Sequence, residues 1–536
     1  MKAFVVFLTC IPAAKSLAPV LRTRSMLSRC AATKTDPELI SIMEDSTDVE
    51  QVIRANPDGI AASTPTEWLA KMQTLVSPTA ATILSDKRKD GHAKLDAVVV
   101  PSRRQEAWRF SNLNILFGDS NLGVASPKSS ASVTRADFED HLVDACAGAQ
   151  LVFVDGLFSE TLSDMSKLDR TKSSDGFAGT LTGLAAMDDP PPFLLERALT
   201  ELDFLPEISY AIDPRTCSGS ASLSALNQAC VGEVALVSVG EGESLPHVQV
   251  VFVTSGLEAS INYPRCLVLC GAGMDGELEV TQSYVTVNAA EAAPRDGRGS
   301  FTNGLTRVVM EEGTKMKHTY LQEAAANGLH YDCVYVDIKG DKAKHHLQTM
   351  SLGAYHSRIN YDAVINGEDA LAKIDCVFLA SEKQSMDMHS AITHKALNSL
   401  SEQQHRNIVC DRAEAVFKGR IRVEQLAQGT NSDQLCRSLL LTDGAKVTMM
   451  PSMEIIADQV KCAHGATVAD LSDEQMFYLQ SRGFTANAAR AILLRATVFE
   501  FAAKLPCPKA QARVALKIDD VVSRMRVSDG AEFASI

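Results

Sequence analysis

The pattern of apolar and polar positions divides the chain into a helical beginning, a β-rich middle and a helical end. Residues 36–120 carry apolar residues at three- and four-residue spacing, as in PTEWLAKMQTLV, and this spacing predicts helices. From residue 149 the pattern changes to short β-rich runs such as EVALVSVG and VQVVFVTSG, bounded by Gly, Asp or Asn. Beyond Leu471, Ser472 is a predicted N-cap, and two strongly amphipathic helices follow, TANAARAILLRATVFEFAAKL and PKAQARVALKIDDVVSRMR.

The scarcity of predicted helices between residues 230 and 465 narrows the fold class. A doubly wound α/β domain needs a crossover helix after nearly every strand, so this architecture is disfavoured. A sandwich, a barrel and a β-helix all fit the strand lengths, and the large domain without an Asn-Gly hairpin series favours the β-helix. We therefore expect a mainly β fold with a helical N-terminal region at 35–148, a β-helix core at 149–465 and a helical C-terminal domain at 466–536.

Residues 1–34 differ in composition from the rest of the chain, with six Lys or Arg and no Asp or Glu. The run AFVVFLTCIPAA is typical of a signal-peptide core and is too short to span a bilayer. The basic, Ser- and Thr-rich run SLAPVLRTRSMLSRCAATKT that follows resembles a transit peptide. We expect a bipartite presequence that directs the protein to the plastid stroma, with a plain secretory signal or a buried N-terminal strand as alternatives.

Composition narrows the classes of partner. The formal charge is −14, or −20 without residues 1–34, which argues against binding to nucleic acid or to an anionic membrane. The 13 cysteines are scattered without a C-x-x-C pair, so neither a disulfide framework nor a four-ligand zinc site is predicted. No G-x-x-x-x-G-K-[ST] loop occurs, so the chain itself is not expected to bind a nucleotide in the P-loop manner.

Three local patterns are weak candidates for chemistry. Residues 271–276 spell G-x-G-x-x-G, but a strand pattern follows where a dinucleotide site needs a helix, so a turn is predicted. His330 and Asp332 share one face of a predicted strand, and Asp387 and His389 share a face of another. Each pair is either a set of ligands or an acid–base couple, or two polar side chains that neighbours satisfy.

The best local pattern is KCAHGAT at residues 461–467, at the end of the β-rich region. The two-residue period of a strand places Cys462 and His464 side by side on one face. Thiolate and imidazole suit iron, zinc or copper(I), but two ligands leave the coordination of a divalent metal half filled, so a partner chain would have to supply the rest. A buried cysteine beside a hydrogen-bonded histidine is the alternative.

The block MEIIADQVKCAHGATVADLSDEQMFYLQSRGF at 453–484 resembles the signature of the SufB/SufD family of iron–sulfur cluster assembly proteins. HGAT is similar to the SufD branch, whereas the SufB branch typically has Glu where this chain has Gly465. Further resembling stretches are PSRRQEAWRFSNL (101–113), LVFVDGLFS (151–159), LSALNQA (223–229), YPRCLVL (263–269) and GRIRVEQLAQGTNSDQLCRSLLL (419–441).

The resemblance implies a right-handed parallel β-helix between helical regions and a non-enzymatic scaffold subunit that supports iron acquisition. It implies pairing with a SufB subunit along the β-helix edges and docking of SufC ATPases on the C-terminal helical domain. By the resemblance, His464 is a candidate ligand of iron or of a transient iron–sulfur cluster shared with SufB. Cys462 is either a second ligand or a supporting buried thiol. A reduced flavin in the complex is a further cofactor that the resemblance suggests.

Two other functions remain open from the sequence. A β-helix enzyme that acts on carbohydrate would line one face of the solenoid with paired carboxylates, and no D-x-D or paired acidic block stands in a predicted strand. A SufB-like scaffold subunit is disfavoured by Gly465.

Overall fold

The computed structural model describes residues 65–75, 82–98, 101–103, 105–111, 113–118, 122–123, 127–168, 176–187, 190–203, 220–256, 259–288, 299–505 and 507–524. The predicted presequence at 1–34 lies outside these residues, as do the predicted helices between residues 36 and 64. Within the described ranges, no helix is both long enough and apolar enough to cross a bilayer.

The strands form two facing sheets, arranged as a β-solenoid of about eight turns. In chain order they are β1 (Gln150–Val154), β2 (Leu157–Phe158), β3 (Gly176–Thr180), β4 (Ala235–Val239), β5 (Val248–Thr254), β6 (Ile261–Asn262), β7 (Arg265–Cys270), β8 (Leu278–Thr286), β9 (Phe301–Met310), β10 (Lys315–Glu323), β11 (Leu329–Ile338), β12 (Lys344–Ser351), β13 (His356–Ile365), β14 (Leu371–Ala380), β15 (Ser385–His394), β16 (Leu400–Val409), β17 (Glu414–Val423), β18 (Asn431–Leu440), β19 (Lys446–Ile455) and β20 (Lys461–Ala469).

Sheet A has the order β2-β1-β5-β8-β10-β12-β14-β16-β18-β20, and sheet B has the order β19-β17-β15-β13-β11-β9-β7-β4-β3, with β6 beside β9. From β8 onward, successive strands alternate between the two sheets, so each coil of the solenoid contributes one strand to each. Among the described strands, β1–β2 and β3–β4 pair antiparallel, and the coil-to-coil pairs are parallel. The prediction of a mainly β fold with a β-helix core and helical flanks is confirmed.

Alternate residues of each strand point into the space between the sheets. Ile374, Cys376 and Phe378 of β14 lie there in one buried cluster. Ile359 and Tyr361 of β13 enter the same cluster from the opposite sheet. Because each strand pairs in register with the next coil, inward side chains stack in columns along the solenoid.

Helices precede and follow the strands of the solenoid, and three of those described stand between β3 and β4. The described helices are α1 (Pro65–Met72), α2 (Ser85–Ala97), α3 (Leu113–Gly118), α4 (Pro127–Ala131), α5 (Leu181–Ala185), α6 (Pro192–Leu202), α7 (Ala221–Cys230), α8 (Asp473–Ser481), α9 (Ala486–Ala502) and α10 (Pro508–Arg524), with short 3₁₀ turns at Thr82–Leu84, Glu106–Trp108, Arg135–His141 and Asp144–Cys146. The predicted N-cap is confirmed, because the Ser472 side chain accepts a hydrogen bond from the Gln475 backbone N–H.

Helices α5 to α7 lie inside the range assigned to the β-helix core from the sequence, and the last strand extends to Ala469. Helix α7 contains the stretch LSALNQA, and its residues from Ser222 onward are all buried. The Asn227 amide donates to the carbonyl oxygens of Pro264 and Asn303, at 2.9 and 2.7 Å. Hydrogen bonds to the solenoid therefore hold this helix in place. The domain boundaries drawn from the sequence stay a prediction.

Helices α9 and α10 pack on the outer face of sheet A. Leu494 and Val498 of α9 and Val514 of α10 share a buried cluster with outward residues of the sheet, including Val377 and Ile408. An ion pair between Arg513 and Glu323, at 2.6 Å, closes one side of this interface. The last two helices of the described residues therefore pack on the β core.

Residues 105–111 pack on the outer face of sheet B and belong to the stretch PSRRQEAWRFSNL. Trp108 is fully buried, and the Arg358 guanidinium lies 3.7 Å from the centroid of its ring. The same guanidinium donates to the Ala107 carbonyl oxygen at 2.8 Å and to Ser111 Oγ at 2.9 Å. Arg358 thus joins the N-terminal segment to the solenoid by cation–π and hydrogen-bond contacts.

Several histidines are buried in the interior of the solenoid. Burial lowers the pKa of five inward imidazoles, to about 3 for His318 and His330, to about 4 for His394 and His405, and further for His345. The folded interior therefore keeps these rings neutral at pH values where the unfolded chain protonates them.

We expect the Trp108→Ala change to lower the free energy of unfolding by about 3–5 kcal/mol, because it removes a fully buried ring and leaves Arg358 without its aromatic partner. Urea denaturation followed by circular dichroism measures this. Phe110→Ala is the matched control, since Phe110 is 43% exposed in the same segment and should change stability by less than about 0.5 kcal/mol. Equal losses in the two variants would contradict the role assigned to Trp108.

We expect the free energy of unfolding to fall as the pH falls from about 6.5 towards 4, because the unfolded state then binds more protons on the interior histidines than the folded state. Urea midpoints at pH 7.5 and pH 5 test this. His318→Gln should reduce the pH slope by up to about 1.4 kcal/mol per pH unit, and His92→Gln on α2 is the control. A midpoint that is the same at both pH values would contradict the expectation.

Candidate functional site

Cys462 and His464 lie on β20, the last strand of sheet A. Strand β20 pairs in parallel with β18, so that Cys462 lies beside Ser432 and His464 beside Gln434. Ser432 and Gln434 are buried, whereas their neighbour Asp433 is exposed, which shows that this register faces the interior. The structure therefore places both predicted residues side by side on the inward face of the final coil. Their role as ligands stays a prediction.

Two columns of polar side chains lead through the interior to these residues. In the first, which we call the serine column, Ser401 and Ser432 contact each other at 2.7 Å between hydroxyl oxygens, and Cys462 is the next residue in register. His394 Nε2 lies 2.9 Å from the Ser401 hydroxyl at the deeper end of the column.

The second column, which we call the glutamine column, consists of Gln403, Gln434 and His464 on successive coils. Gln434 Nε2 donates to Gln403 Oε1 at 2.8 Å, and Gln403 Nε2 donates to Ser390 Oγ at 2.8 Å. His464 Nδ1 is buried without a hydrogen-bond partner among the described residues.

Cys462 differs from the other described cysteines in its exposure. It is half-buried, whereas the nine others are buried, including Cys436 in the interior of the preceding coil. Partial burial raises the pKa of the Cys462 thiol, against a smaller opposing effect of a backbone hydrogen bond at Ser432. Burial raises the pKa of Cys436 further, to about 12. The thiol of Cys462 is thus the one that reagents and metal ions can reach among those described.

Strands β19 and β20 form the open end of the solenoid, because no described strand pairs with their outer edges. Met449 and Met453 of β19 are only partly buried at this end. Apolar side chains are exposed beside them, with Ile455 at 45% and Val468 at 49%. An open strand edge with exposed apolar side chains favours pairing with another chain.

Within the described part of the chain, no group of three or more His, Cys, Asp and Glu side chains is placed to hold a metal ion. Cys462 and His464 together supply one sulfur and one nitrogen donor, and iron or zinc needs at least four ligands in its common protein sites. A metal at this position would therefore need donors from outside the described residues.

His330 and Asp332 face the interior, where both contact buried tyrosine hydroxyls. The Tyr284 and Tyr320 hydroxyls both donate to Asp332 Oδ2, at 2.5 and 2.8 Å, and the Tyr320 hydroxyl lies 2.6 Å from His330 Nε2. Burial raises the pKa of Asp332 to about 6. The second polar atom of each residue, His330 Nδ1 and Asp332 Oδ1, is buried without a partner among the described residues. The tyrosine contacts lie away from the open end and favour the structural alternative for this pair.

Asp387 and His389 face the outer side of sheet B, where Asp387 contacts the N-terminal segment and His389 contacts Arg358 of β13. Ser111 Oγ donates to Asp387 Oδ2 at 2.5 Å, and His389 Nδ1 lies 3.3 Å from a guanidinium nitrogen of Arg358. Both side chains are buried. Asp387 thus holds Ser111 directly, and His389 contacts the Arg358 that also binds Ser111, which again favours the structural alternative.

The glycine-rich run at 271–276 is a turn between β7 and β8, as predicted. Gly273 and Gly276 have positive φ angles of 75° and 74°, which glycine adopts without strain. Because a strand follows, this turn lacks the helix N-terminus that a dinucleotide site requires.

Residues 252–497 match the family model described as "SUF system FeS cluster assembly, SufBD core domain". The matched range runs from the solenoid into α9 and includes Cys462 and His464. This part of the chain therefore carries the core domain of the SufB/SufD family. The resemblance found in the sequence is thereby confirmed at the level of the family.

Three relatives show how far the similarity extends along this chain. An iron-sulfur cluster assembly SufBD family protein of Synechocystis sp. is 27% identical over 446 residues, which cover 83% of this chain and 92% of the relative. The Arabidopsis thaliana protein named "Protein ABCI7, chloroplastic" is 34% identical over 248 residues, or 46% of this chain and 50% of the relative. The Escherichia coli iron-sulfur cluster assembly protein SufD is 25% identical over 409 residues, or 76% of this chain and 84% of that protein.

Sequence reasoning missed Gln434 and Gln403, which the structure places in line with His464. Both are fully buried glutamines, and Gln434 lies inside the family-like stretch at 419–441. The signal available in the sequence was a polar residue at a strand position that the two-residue period turns inward. The stacking partner could not be read from the sequence, because the two glutamines are 31 residues apart.

We expect iodoacetamide to modify Cys462 in the folded protein while Cys436 stays unmodified until the protein unfolds, because only Cys462 is partly exposed of these two. The raised pKa of Cys462 predicts a rate that increases as the pH rises above 7, since the thiolate is the nucleophile. Peptide mass spectrometry measures both sites. Faster labelling of Cys436 than of Cys462 would contradict the arrangement.

Proposed function

We propose that this SufB/SufD family member is a SufD-like scaffold subunit without enzymatic activity of its own, which builds a site for iron or a nascent iron–sulfur cluster together with a SufB subunit. The observation that carries the proposal is the position of Cys462 and His464, side by side on the inward face of the last coil at the open end. The E. coli relative named SufD and the Gly465 in this chain favour the SufD branch over the SufB-like alternative.

The open end supports the partner side of the proposal. Backbone groups on the outer edges of β19 and β20 have no strand partner among the described residues, and Ile455, Ile456 and Val468 are exposed beside them. A second solenoid that adds its own strands there would satisfy these groups and cover the apolar side chains. We propose a SufB subunit as that second solenoid.

The incomplete donor set supports a shared site. One imidazole and one thiol leave coordination positions for ligands of the partner, and iron or the cluster is cargo here rather than a resident cofactor. A cluster divided between two chains opens when the chains separate, which suits a scaffold that must release its product. A reduced flavin in the complex stays a prediction of the resemblance.

The C-terminal helices support a docking role for a SufC ATPase. Helix α8 has no buried residue, and Phe477, Tyr478 and Phe484 are exposed on it and just after it. Only residues 470–472 separate this helix from β20. We propose that SufC docks near α8, so that ATP-driven movement of SufC acts on the strand that carries Cys462 and His464.

Two further parts of the proposal have narrower support. Localisation in a plastid is supported by the Arabidopsis relative, whose name includes "chloroplastic", and by the composition of residues 1–34. The carbohydrate-enzyme alternative is less well supported, because Asp332 and Asp387 are buried and hydrogen-bonded rather than paired on an open face.

We expect His464→Ala to reduce the iron and acid-labile sulfide content of the complex assembled with SufB and SufC by at least about 10-fold, because a ligand is removed. The complex should still form in size-exclusion chromatography, since the strand edges remain. His247→Ala is the control, because His247 precedes β5, towards the opposite end of sheet A, and should leave loading unchanged.

Cys462→Ser separates the two roles open for the thiol. Loss of loading would assign Cys462 as a ligand, and full loading would assign it as a supporting thiol. Normal loading in His464→Ala would overturn the proposed site.

A further inference from the structure

The amide of Gln434 has a fixed orientation in the solenoid interior. Gln434 is fully buried, and its Nε2 donates to Gln403 Oε1 at 2.8 Å. Gln403 is itself held by hydrogen bonds in both directions with Ser390 Oγ, at 2.8 and 3.0 Å. Because the Gln434 nitrogen is committed to the coil below, its Oε1 is the atom left to face other partners.

Gly419 on the facing strand β17 leaves the space that this amide occupies. A Cβ atom built on Gly419 would lie 2.2 Å from Gln434 Nε2, far inside van der Waals contact. Because Gly419 on sheet B has no side chain, Gln434 on sheet A can extend across the interior towards it.

Two neighbouring residues at the open end each carry a buried polar atom without a partner among the described residues, one an acceptor and one a ring nitrogen that can donate. Gln434 Oε1 and His464 Nδ1 are both buried, and neither has a hydrogen-bond partner among the described residues. The two residues are directly paired in the register of β18 and β20. The preceding step of the column, from Gln403 to Gln434, has the same register relation and forms a hydrogen bond at 2.8 Å.

We infer that Gln434 is a positioning residue for His464, whose imidazole carries its hydrogen on Nδ1 and donates it to Gln434 Oε1. A neutral imidazole has one N–H and one lone pair, so this hydrogen bond leaves the lone pair on Nε2 for a metal ion. A hydrogen bond to the distal ring nitrogen orients metal-ligating histidines and strengthens them as ligands. The inference deepens the proposed function and rests on it for the identity of the metal, while the tautomer can be tested separately.

The tautomer of His464 tests the inference in the isolated full chain. Ring-¹⁵N histidine labelling and long-range ¹⁵N–¹H correlation spectra distinguish the two neutral tautomers, and His464→Ala identifies the resonance. We expect the Nδ1–H form in the wild-type chain at neutral pH. A dominant Nε2–H form in the wild type would overturn the inference, whatever the variants do.

Substitution of the acceptor separates positioning from a purely structural role. Gln434→Met removes both polar atoms at similar length and should shift His464 towards the Nε2–H form. Gln434→Glu keeps an acceptor oxygen but loses the donor to Gln403, so it should retain the Nδ1–H form. Gln282→Met, which removes a buried interior glutamine that contacts Thr306 on β9, is the matched control and should leave His464 unchanged. Equal behaviour of Gln434→Met and wild type would overturn the inference.

Iron retention in the assembled complex gives the second readout. Gln434→Met should lower the chelator concentration that removes half of the iron by about 10-fold, whereas Gln434→Glu should remain close to wild type. If His464→Ala loses iron and Gln434→Met retains it as wild type does, the positioning role fails and the proposed site stands. If His464→Ala retains iron, the proposed site fails. The NMR measurement of the His464 tautomer then decides by itself whether Gln434 positions His464.

Discussion

The parallel hydrogen-bond ladder between successive coils is the constraint on which the rest of this protein depends. Each strand of the long sheets pairs with the next coil without a shift of register, so a residue that faces the interior stacks on inward residues of the coils before and after it. A one-residue slip would turn every inward side chain outward. The ladder therefore decides which residues far apart in the chain become neighbours, and the columns that end at Cys462 and His464 are consequences of it.

The interior that the ladder creates is partly polar, which imposes a second requirement. A buried polar group is costly unless it finds a hydrogen-bond partner. Some interior side chains find partners along the columns or across the gap between the sheets, while others keep one polar atom without a partner among the described residues. Gln403 bonds to Ser390 on the facing sheet and to Gln434 on the next coil. Histidines stay neutral for the same reason, because a charged imidazole would lie far from water. At the last coil the column stops, and His464 Nδ1 is left without a partner.

Helices and turns outside the two sheets cover the outer faces of the solenoid and leave its last coil open among the described residues. Residues 105–111 and α7 pack on sheet B, and α9 and α10 pack on the outer face of sheet A. The edges of β19 and β20 remain unpaired among the described strands. Two interior cysteines therefore differ in exposure. Cys436, one coil below the open end, is buried, whereas Cys462 at the open end is half-buried. The chemistry proposed for this protein follows from that difference in exposure.

The sequence by itself determined the element types, because strand and helix periodicity are local properties. It determined the helix PTEWLAKM, the N-cap at Ser472 and the shared face of Cys462 and His464, and family-specific residues around them identified the SufB/SufD family. Only the tertiary structure decided that Gln434 lies beside His464 and that Arg358 covers Trp108. It also decided that the carboxylates of Asp332 and Asp387 are buried and hydrogen-bonded rather than exposed. These contacts join residues from 30 to more than 250 positions apart, as between Arg358 and Ala107 at a separation of 251. Local patterns carry no information about such pairs, because the coil register that creates them is set by the whole stack of strands.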